Sequence, residues 1–248
     1  MSVIVTRPNP DAEGLLNRLY DSGLDVLHAP MMQIRAVNIH DQAKENLHQA
    51  AQNNTARLAF TSANGVRMLL AQIPEANEIP CFCVGKQTAQ CAKDHGFQQI
   101  TTAGGDVKSL VATIEEHEHD KTLEWFHLRG HHHHGALVQT LRQKNYNAQA
   151  ICGYNAEPST RLDSEVIHAI SEREVHSVLI YSPRTARLLE LLLELHGLLE
   201  YCSTIDVYGL SPAVLQALQG RWRQKWSPAD ADAEALEAKM IFEGNRYD

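Results

Sequence analysis

Two arginines stand at matching places in this chain. Arg7 follows the apolar run of SVIVTRPN (residues 2–9), and Arg129 follows that of EWFHLRGH (residues 124–131), at an offset of 122. A guanidinium at a strand end is a permanent cation whose forked donors match a carboxylate or phosphate. Lys86, Arg184 and Arg187 lie in or just beyond other strand-end loops. The same loops hold Asn9-Pro10, Ser182-Pro183, Ser211-Pro212 and Ser227-Pro228. A capping side chain followed by proline marks a helix start, which offers unpaired N–H groups and the positive end of a dipole to an anion. Ser62, Thr88, the Gly104-Gly105 turn and Gly130 are expected at equivalent places in a second set of loops. Each alone is an ordinary helix start. Their repetition predicts two donor-lined edges that clamp a polyanion.

His131 to His134 are the most conspicuous run. Successive side chains diverge on a helix, so only His131 and His134 would share a face. No carboxylates or further histidines complete a metal set, so a polar loop is the first reading, weak anion contact the second and incidental metal affinity the third. The chain holds no GxSxG, no P-loop and no GxGxxG after a strand, which removes the common covalent and nucleotide-binding devices.

These loops must be set on elements. LAFTSANGVRMLL (residues 58–70) is echoed by VLIYSPRTARLLE (residues 178–190) at an offset of 120. CFCVGKQTAQCAKDHG resembles TIDVYGLSPAVLQALQG, with Gly85 matching Gly209, and QQITTAGGDVKSLVATI resembles RQKWSPADADAEALEAKM. Short apolar runs alternate with segments of helical period, such as Val66, Leu69, Leu70 and Ile73. That alternation predicts the α/β class, with parallel sheets buried on both faces. The order of the repeats is explained by insertion: residues 1–36 and 157–248 form one discontinuous α/β domain and residues 41–152 an inserted one. The two crossings, near residues 37–40 and 155–160, are expected to act as a two-stranded hinge beside a cleft.

Composition narrows the function. The chain has 248 residues, 44% of them hydrophobic, and a formal charge of −8; the pI is near 5.9. An acidic chain is a poor partner for nucleic acid, so local devices must hold an anionic ligand. The Leu-rich stretch at residues 188–199 is broken by Glu190, Glu194 and His196, which argues against a membrane span. No basic region leads into an apolar run and a small-residue cleavage site near the start, so export is not expected. Five cysteines form no CxxC pair and are read as buried thiols in a reducing cytoplasm.

VTRP (5–8), TSANGV (61–66), VGKQTA (84–89), LRG (128–130), CGYNAEP (152–158) and YSPRTAR (181–187) together resemble the uroporphyrinogen-III synthase family over nearly the whole chain. HHHHG and Pro212 depart from its usual pattern, in which a small or polar loop and a threonine stand at those places. The resemblance implies two flavodoxin-like domains and cyclisation of the linear tetrapyrrole hydroxymethylbilane to uroporphyrinogen III, with ring D inverted and water lost. It implies no cofactor and no metal, a monomer, and no nucleic-acid or membrane partner; its partners are the tetrapyrrole and the preceding, hydroxymethylbilane-forming enzyme. The substrate-binding residues expected on its motifs are Arg7, Thr61, Ser62, Ala63, Asn64, Gly85, Lys86, Gln87, Thr88, Arg129, Gly130, Ser182, Pro183, Arg184, Gly209, Leu210 and Ser211. Tyr154 is expected to be catalytic: the family's functional tyrosine falls there, and a phenol, with an ordinary pKa of about 10, is protonated at neutral pH. A non-catalytic two-lobed receptor for a small anion is the alternative, and a phosphate-dependent sugar enzyme a weaker third.

If the histidine run is only a polar loop, replacing His131 to His134 with Ser and Gly leaves synthase activity within a few fold, and chelators change nothing. Chelator-sensitive activity restored by a divalent metal is the contrary result.

Overall fold

The computed structural model describes residues 2–131 and 136–244. In chain order the strands and helices are β1 (Ser2–Val5), α1 (Glu13–Asp21), β2 (Asp25–His28), β3 (Met32–Ala36), α2 (Asp41–Gln52), β4 (Ala56–Phe60), α3 (Ala63–Leu70), β5 (Cys81–Cys83), α4 (Lys86–Asp94), β6 (Ile100–Thr102), α5 (Val107–His117) and β7 (Glu124–Gly130). There follow α6 (Leu137–Gln143), β8 (Asn147–Pro158), α7 (Ser164–Ser171), β9 (Val175–Ile180), α8 (Pro183–Leu195), β10 (Asp206–Gly209), α9 (Pro212–Gln216), β11 (Gln224–Trp226) and α10 (Ala233–Gly244). They form two compact units, Met1–Gln33 with Glu157–Asp248, and Ile34–Ala156. The chain leaves the first unit along β3 and returns to it along β8.

The first unit is built on a sheet of order β11-β10-β9-β1-β2 whose pairings are all parallel. Side chains alternate between its faces, as the two-residue repeat of a strand requires. Ile4, Val178, Ile180 and Val207 pack on one face with Leu189, Leu192 and Leu193 of α8 and Val166 and Ile170 of α7. Val3, Val5, Leu179 and Tyr208 pack on the other with Leu15 and Leu19 of α1 and Leu236 and Met240 of α10. Both faces are therefore covered. This explains why β1 is SVIV, with every residue buried, and not an alternation of apolar and polar.

The second unit repeats the plan on a sheet of order β3-β8-β7-β4-β5-β6. Leu58, Phe60, Cys81, Cys83, Phe126 and Leu128 face α2, α3 and α4. Ala59, Phe82, Trp125 and Ala148 face α5 and α6. Fully burying one such Leu or Phe contributes about 1.5–3 kcal/mol, so each face is a substantial core.

The spatial orders β2-β1-β9-β10-β11 and β8-β7-β4-β5-β6 correspond strand for strand. Similar sequence segments occupy corresponding strands: 2–9 with 124–131, 178–190 with 58–70, 204–220 with 81–96. Only the chain order differs. The first unit begins on β1, whereas the second reaches its counterpart, β7, after β4, β5 and β6. Each unit has the doubly wound arrangement in which strand order reverses beside one central strand. The reversal falls between β1 and β9 in the first unit and between β4 and β7 in the second.

Thr6 ties the first reversal point together. Its hydroxyl donates to Leu179 O at 2.6 Å and its amide to the same oxygen at 3.3 Å, while its own carbonyl accepts from Met31 N at 3.1 Å. Thr6→Val keeps the shape and removes only the hydroxyl bond, so it is expected to lower unfolding stability by about 1 kcal/mol. Urea titration checks this; an unchanged midpoint contradicts it.

Candidate functional site

In sheets of this kind ligands bind beyond the carboxyl ends of the strands, at the reversal point, where helix starts converge. The expected residues gather at these ends of their own units, though not all in the expected roles.

On the first unit, α8 starts as its sequence predicts. Ser182 is extended, its hydroxyl accepts from Thr185 N at 3.1 Å, and Pro183 occupies the first turn. Arg184 is exposed in that turn. Ser211 is in the cap position of α9 but makes no side-chain cap bond, and α9 is only five residues long. Leu210 N donates to Ile180 O at 2.9 Å. Gly209 leaves room for α9: a Cβ at that position would lie 2.8 Å from Leu215 Cδ2.

Two of the four proline-marked starts are not helix starts. Asn9-Pro10 lies in a turn, and α1 begins at Glu13 behind Ala12. Ser227-Pro228 likewise precedes its helix: Asp232 Oδ1 accepts from Glu234 N at 2.9 Å and Ala235 N at 3.1 Å. After Pro10 residues 11–12 continue the turn, and after Pro228 residues 229–230 form a bend, before helix begins; a proline after a capping residue does not exclude that.

On the second unit, Ser62 caps α3, accepting from Asn64 N at 3.2 Å. Ala63 and Asn64 are buried in the first turn, and Asn64 Oδ1 accepts from Arg67 Nη1 at 3.0 Å. Thr61 Oγ1 lies 3.0 Å from Nε2 of His127, a buried histidine on β7. Gly85, not Thr88, stands at the cap of α4; Thr88 is buried within the first turn and Gln87 is exposed. Gly85 has no side chain to bond the first-turn N–H groups, and a Cβ there would come within 3.3 Å of Gly105 Cα. Asp106 then caps α5 reciprocally with Ser109. An aspartate just before an apolar helical run is a cap signal, legible beside the Gly104-Gly105 turn. Lys86 lines an open depression with Lys93 and Thr102.

Tyr154 lies within β8, which continues past it to Pro158, in register with Gly130 at the end of β7. His131 N donates to Tyr154 O at 2.9 Å. A Cβ on residue 130 would lie 2.8 Å from Tyr154 Cε2 and 3.2 Å from Cζ, so the glycine is what allows the ring to lie across the end of β7. Arg129 Nη1 donates to Gly130 O at 3.3 Å. Thus Arg129, Gly130 and Tyr154 form one cluster, with Thr61 and Ser62 following the neighbouring strand β4. His131 is exposed, and His132, His133 and His134 lie outside the described residues. Among the described residues no group of three His, Cys, Asp or Glu side chains is arranged to hold a metal, and no helix is long and apolar enough to cross a membrane. All five cysteines are free thiols.

Arg7 occupies on the first unit the place that Arg129 occupies on the second. Its carbonyl is 2.8 Å from His28 Nε2, and its guanidinium carbon lies 4.9 Å from the centroid of the Tyr181 ring. Burial, with the nearby charge of Glu237, pushes the Tyr181 phenol well above its ordinary range, and Arg7 and Arg18 only partly offset this. The sequence motifs single out neither Tyr181 nor His127 as a positioning group, although each sets a ring with a polar atom in or just after an apolar strand.

The fold defines a class: paired doubly wound α/β units whose carboxyl-end loops carry capped helix starts and arginines. The sequence model of one family, described as uroporphyrinogen-III synthase HemD, matches residues 13–238, and the chain belongs to that family of enzymes of porphyrin biosynthesis. A uroporphyrinogen-III synthase of Proteus mirabilis is 27% identical over 158 residues, covering 58% of this chain and 74% of the relative. The fold is that of the uroporphyrinogen-III synthetase of Helicobacter pylori, with a TM-score of 0.63, 14% identity and coverage of 97% of this chain and 98% of that one. A mutant uroporphyrinogen III synthase of the extremely thermophilic bacterium Thermus thermophilus aligns with a TM-score of 0.55 and 17% identity over 100% of this chain and 98% of that one.

Gly130→Ala is expected to displace the Tyr154 ring while leaving the strand intact, since residue 130 is not in the left-handed region and pairs as ordinary strand. Synthase turnover should fall at least tenfold, on the order of one lost proton-transfer or positioning contact, with an unchanged circular dichroism spectrum. Undiminished turnover would show that the ring position does not matter.

Proposed function

We propose that this chain closes hydroxymethylbilane to uroporphyrinogen III with inversion of ring D. The observation that carries the reading is the duplicated reversal point. In each unit an arginine stands at the carboxyl end of one strand of the reversal point, Arg7 two residues after β1 and Arg129 next to last in β7, beside a neighbouring strand that leads into a serine-capped helix, at Ser182 or Ser62. A tetrapyrrole bearing acetates and propionates on every ring needs many anion contacts of this kind. An acidic protein supplies them with arginines and main-chain N–H groups, without a basic surface.

The chemistry asks little of the protein beyond geometry and one proton. Loss of the terminal hydroxyl as water leaves an azafulvene. Attack on it by the substituted carbon of ring D forms a spiro intermediate, which breaks and recloses with that ring turned over. Spontaneous closure joins the unsubstituted carbon instead and leaves the ring uninverted. Holding the carboxylates so that the substituted carbon meets the azafulvene is catalysis by orientation. In this reading Tyr154 gives its phenolic proton to the departing hydroxyl, the pyrrole N–H proton released as the azafulvene forms restores the phenol, and Gly130 keeps its ring in place.

Supplying purified protein with freshly made hydroxymethylbilane and resolving the isomers tests the reading. It predicts the type III isomer in excess of the spontaneous type I product. A receptor that only binds the ligand leaves type I alone. Tyr154→Phe is expected to fold normally and to lose on the order of a hundredfold in turnover, the lower end of general-acid effects, because the leaving group also departs unaided. Full activity of that variant would leave catalysis to positioning alone.

A further inference from the structure

We propose that Tyr181 is a positioning residue for Arg7: its ring holds the guanidinium at the reversal point between β1 and β9, as a preformed seat for one carboxylate of the tetrapyrrole. The inference rests on the function proposed above and adds a residue to which the family motifs assign no role.

Three observations meet here. The first is the cation over the ring, Arg7 Cζ being 4.9 Å from the Tyr181 centroid. This is within the range at which a ring face attracts a guanidinium. The second is what Arg7 lacks. Among the described residues it makes no ion pair, whereas Arg18, Arg57 and Arg223 are each paired with a carboxylate. Its positive charge is thus steered by an aromatic face and not neutralised, which keeps it available to an incoming anion.

The third concerns Tyr181 itself. Its ring packs against the core formed by β1, β9, α1 and α10, so the face that meets Arg7 is held in a fixed orientation. Glu237, the acid nearest in effect, is bonded to Arg18. It is therefore not the partner of Arg7.

The backbone completes the seat. His28 Nε2 lies 2.8 Å from Arg7 O and Thr6 is bonded to Leu179, so the Cα of Arg7 is fixed on both sides. A long side chain that is rooted at its base and stacked at its tip loses little further freedom when it binds, which is how preorganisation raises affinity.

The test is a double-mutant cycle on the full chain with Arg7→Ala, Tyr181→Leu and the combination, with Tyr181→Phe as the conservative variant. Two readouts are used: KM and kcat for type III formation, and the Kd of uroporphyrin, a fluorescent polycarboxylate porphyrin. Tyr181→Leu is expected to raise KM and Kd by roughly three- to tenfold, the size of a partly desolvated cation–ring contact, with kcat little changed. It should add little in the Arg7→Ala background, because the ring acts through the arginine. Tyr181→Phe keeps the ring face and should hold both constants within about twofold of the starting protein, without loss of stability. If Tyr181→Leu does not fold, Tyr181→Met fills the volume without an aromatic face and serves in its place.

Wild-type KM and Kd in the ring-less variant, or fully additive effects with Arg7→Ala, overturn the inference. A purely structural tyrosine would shift the unfolding midpoint and leave the coupling to Arg7 at zero. Failure of the functional reading is separately visible: the starting protein would then yield only the type I isomer, and the uroporphyrin cycle alone would decide whether Tyr181 seats Arg7.

Discussion

Burial of parallel strands on both faces governs the rest of this molecule. A strand such as SVIV, enclosed by helices on either side, has no position at which a polar side chain meets solvent. Groups that contact a ligand are therefore displaced to the strand ends. Of the two ends, the carboxyl end is where successive helices begin, so uncompensated N–H groups accumulate there. The candidate ligand-binding groups accordingly lie at or just beyond strand ends: Arg7 after β1, Ser182 after β9, Thr61 and Ser62 after β4, and Gly130 closing β7.

The same constraint explains why aromatic rings do the local positioning. Just beyond a strand end, the nearest surface is the edge of the hydrophobic core, and a tyrosine spans the boundary with an apolar body and a polar tip. Tyr181 presents its face to Arg7. Tyr154 lies over Gly130, which has no Cβ to obstruct it. Arg7 and Arg129 are thus equivalent by position in the fold but are held differently, one by an aromatic face and the other by donation to the carbonyl of its neighbour Gly130.

Duplication supplies two such edges from one folding plan. Because insertion changes only the order in which strands are visited, it leaves the spatial neighbours of each strand intact. The reversal point survives in both units although the connection that generates it differs. Family membership is matched over residues 13–238, and the reaction proposed above depends on orienting a large polyanion more than on a reactive nucleophile. No P-loop or nucleophile elbow is needed to account for the residues found at either edge.

The sequence by itself determined the class and the architecture of each unit. Apolar runs such as VIV and VLI, alternating with helical periods, permit little besides buried parallel strands with covering helices, and the internal echo identified which strands correspond. It also determined the starts at Ser62 and Ser182, because a cap is a local interaction between a side chain and an amide two or three residues on. Only the tertiary structure decided the rest. Asn9-Pro10 and Ser227-Pro228 carry the same local signal as Ser182-Pro183, yet they lie ahead of their helices, since packing of the sheet and not the proline sets where a helix begins. Likewise the pairings of Arg7 with Tyr181 across 174 positions, of Thr61 with His127 across 66, and of Gly130 with Tyr154 across 24 depend on which strands are adjacent. Such contacts have no local signature, because the order of strands in a sheet is a property of the whole folded unit.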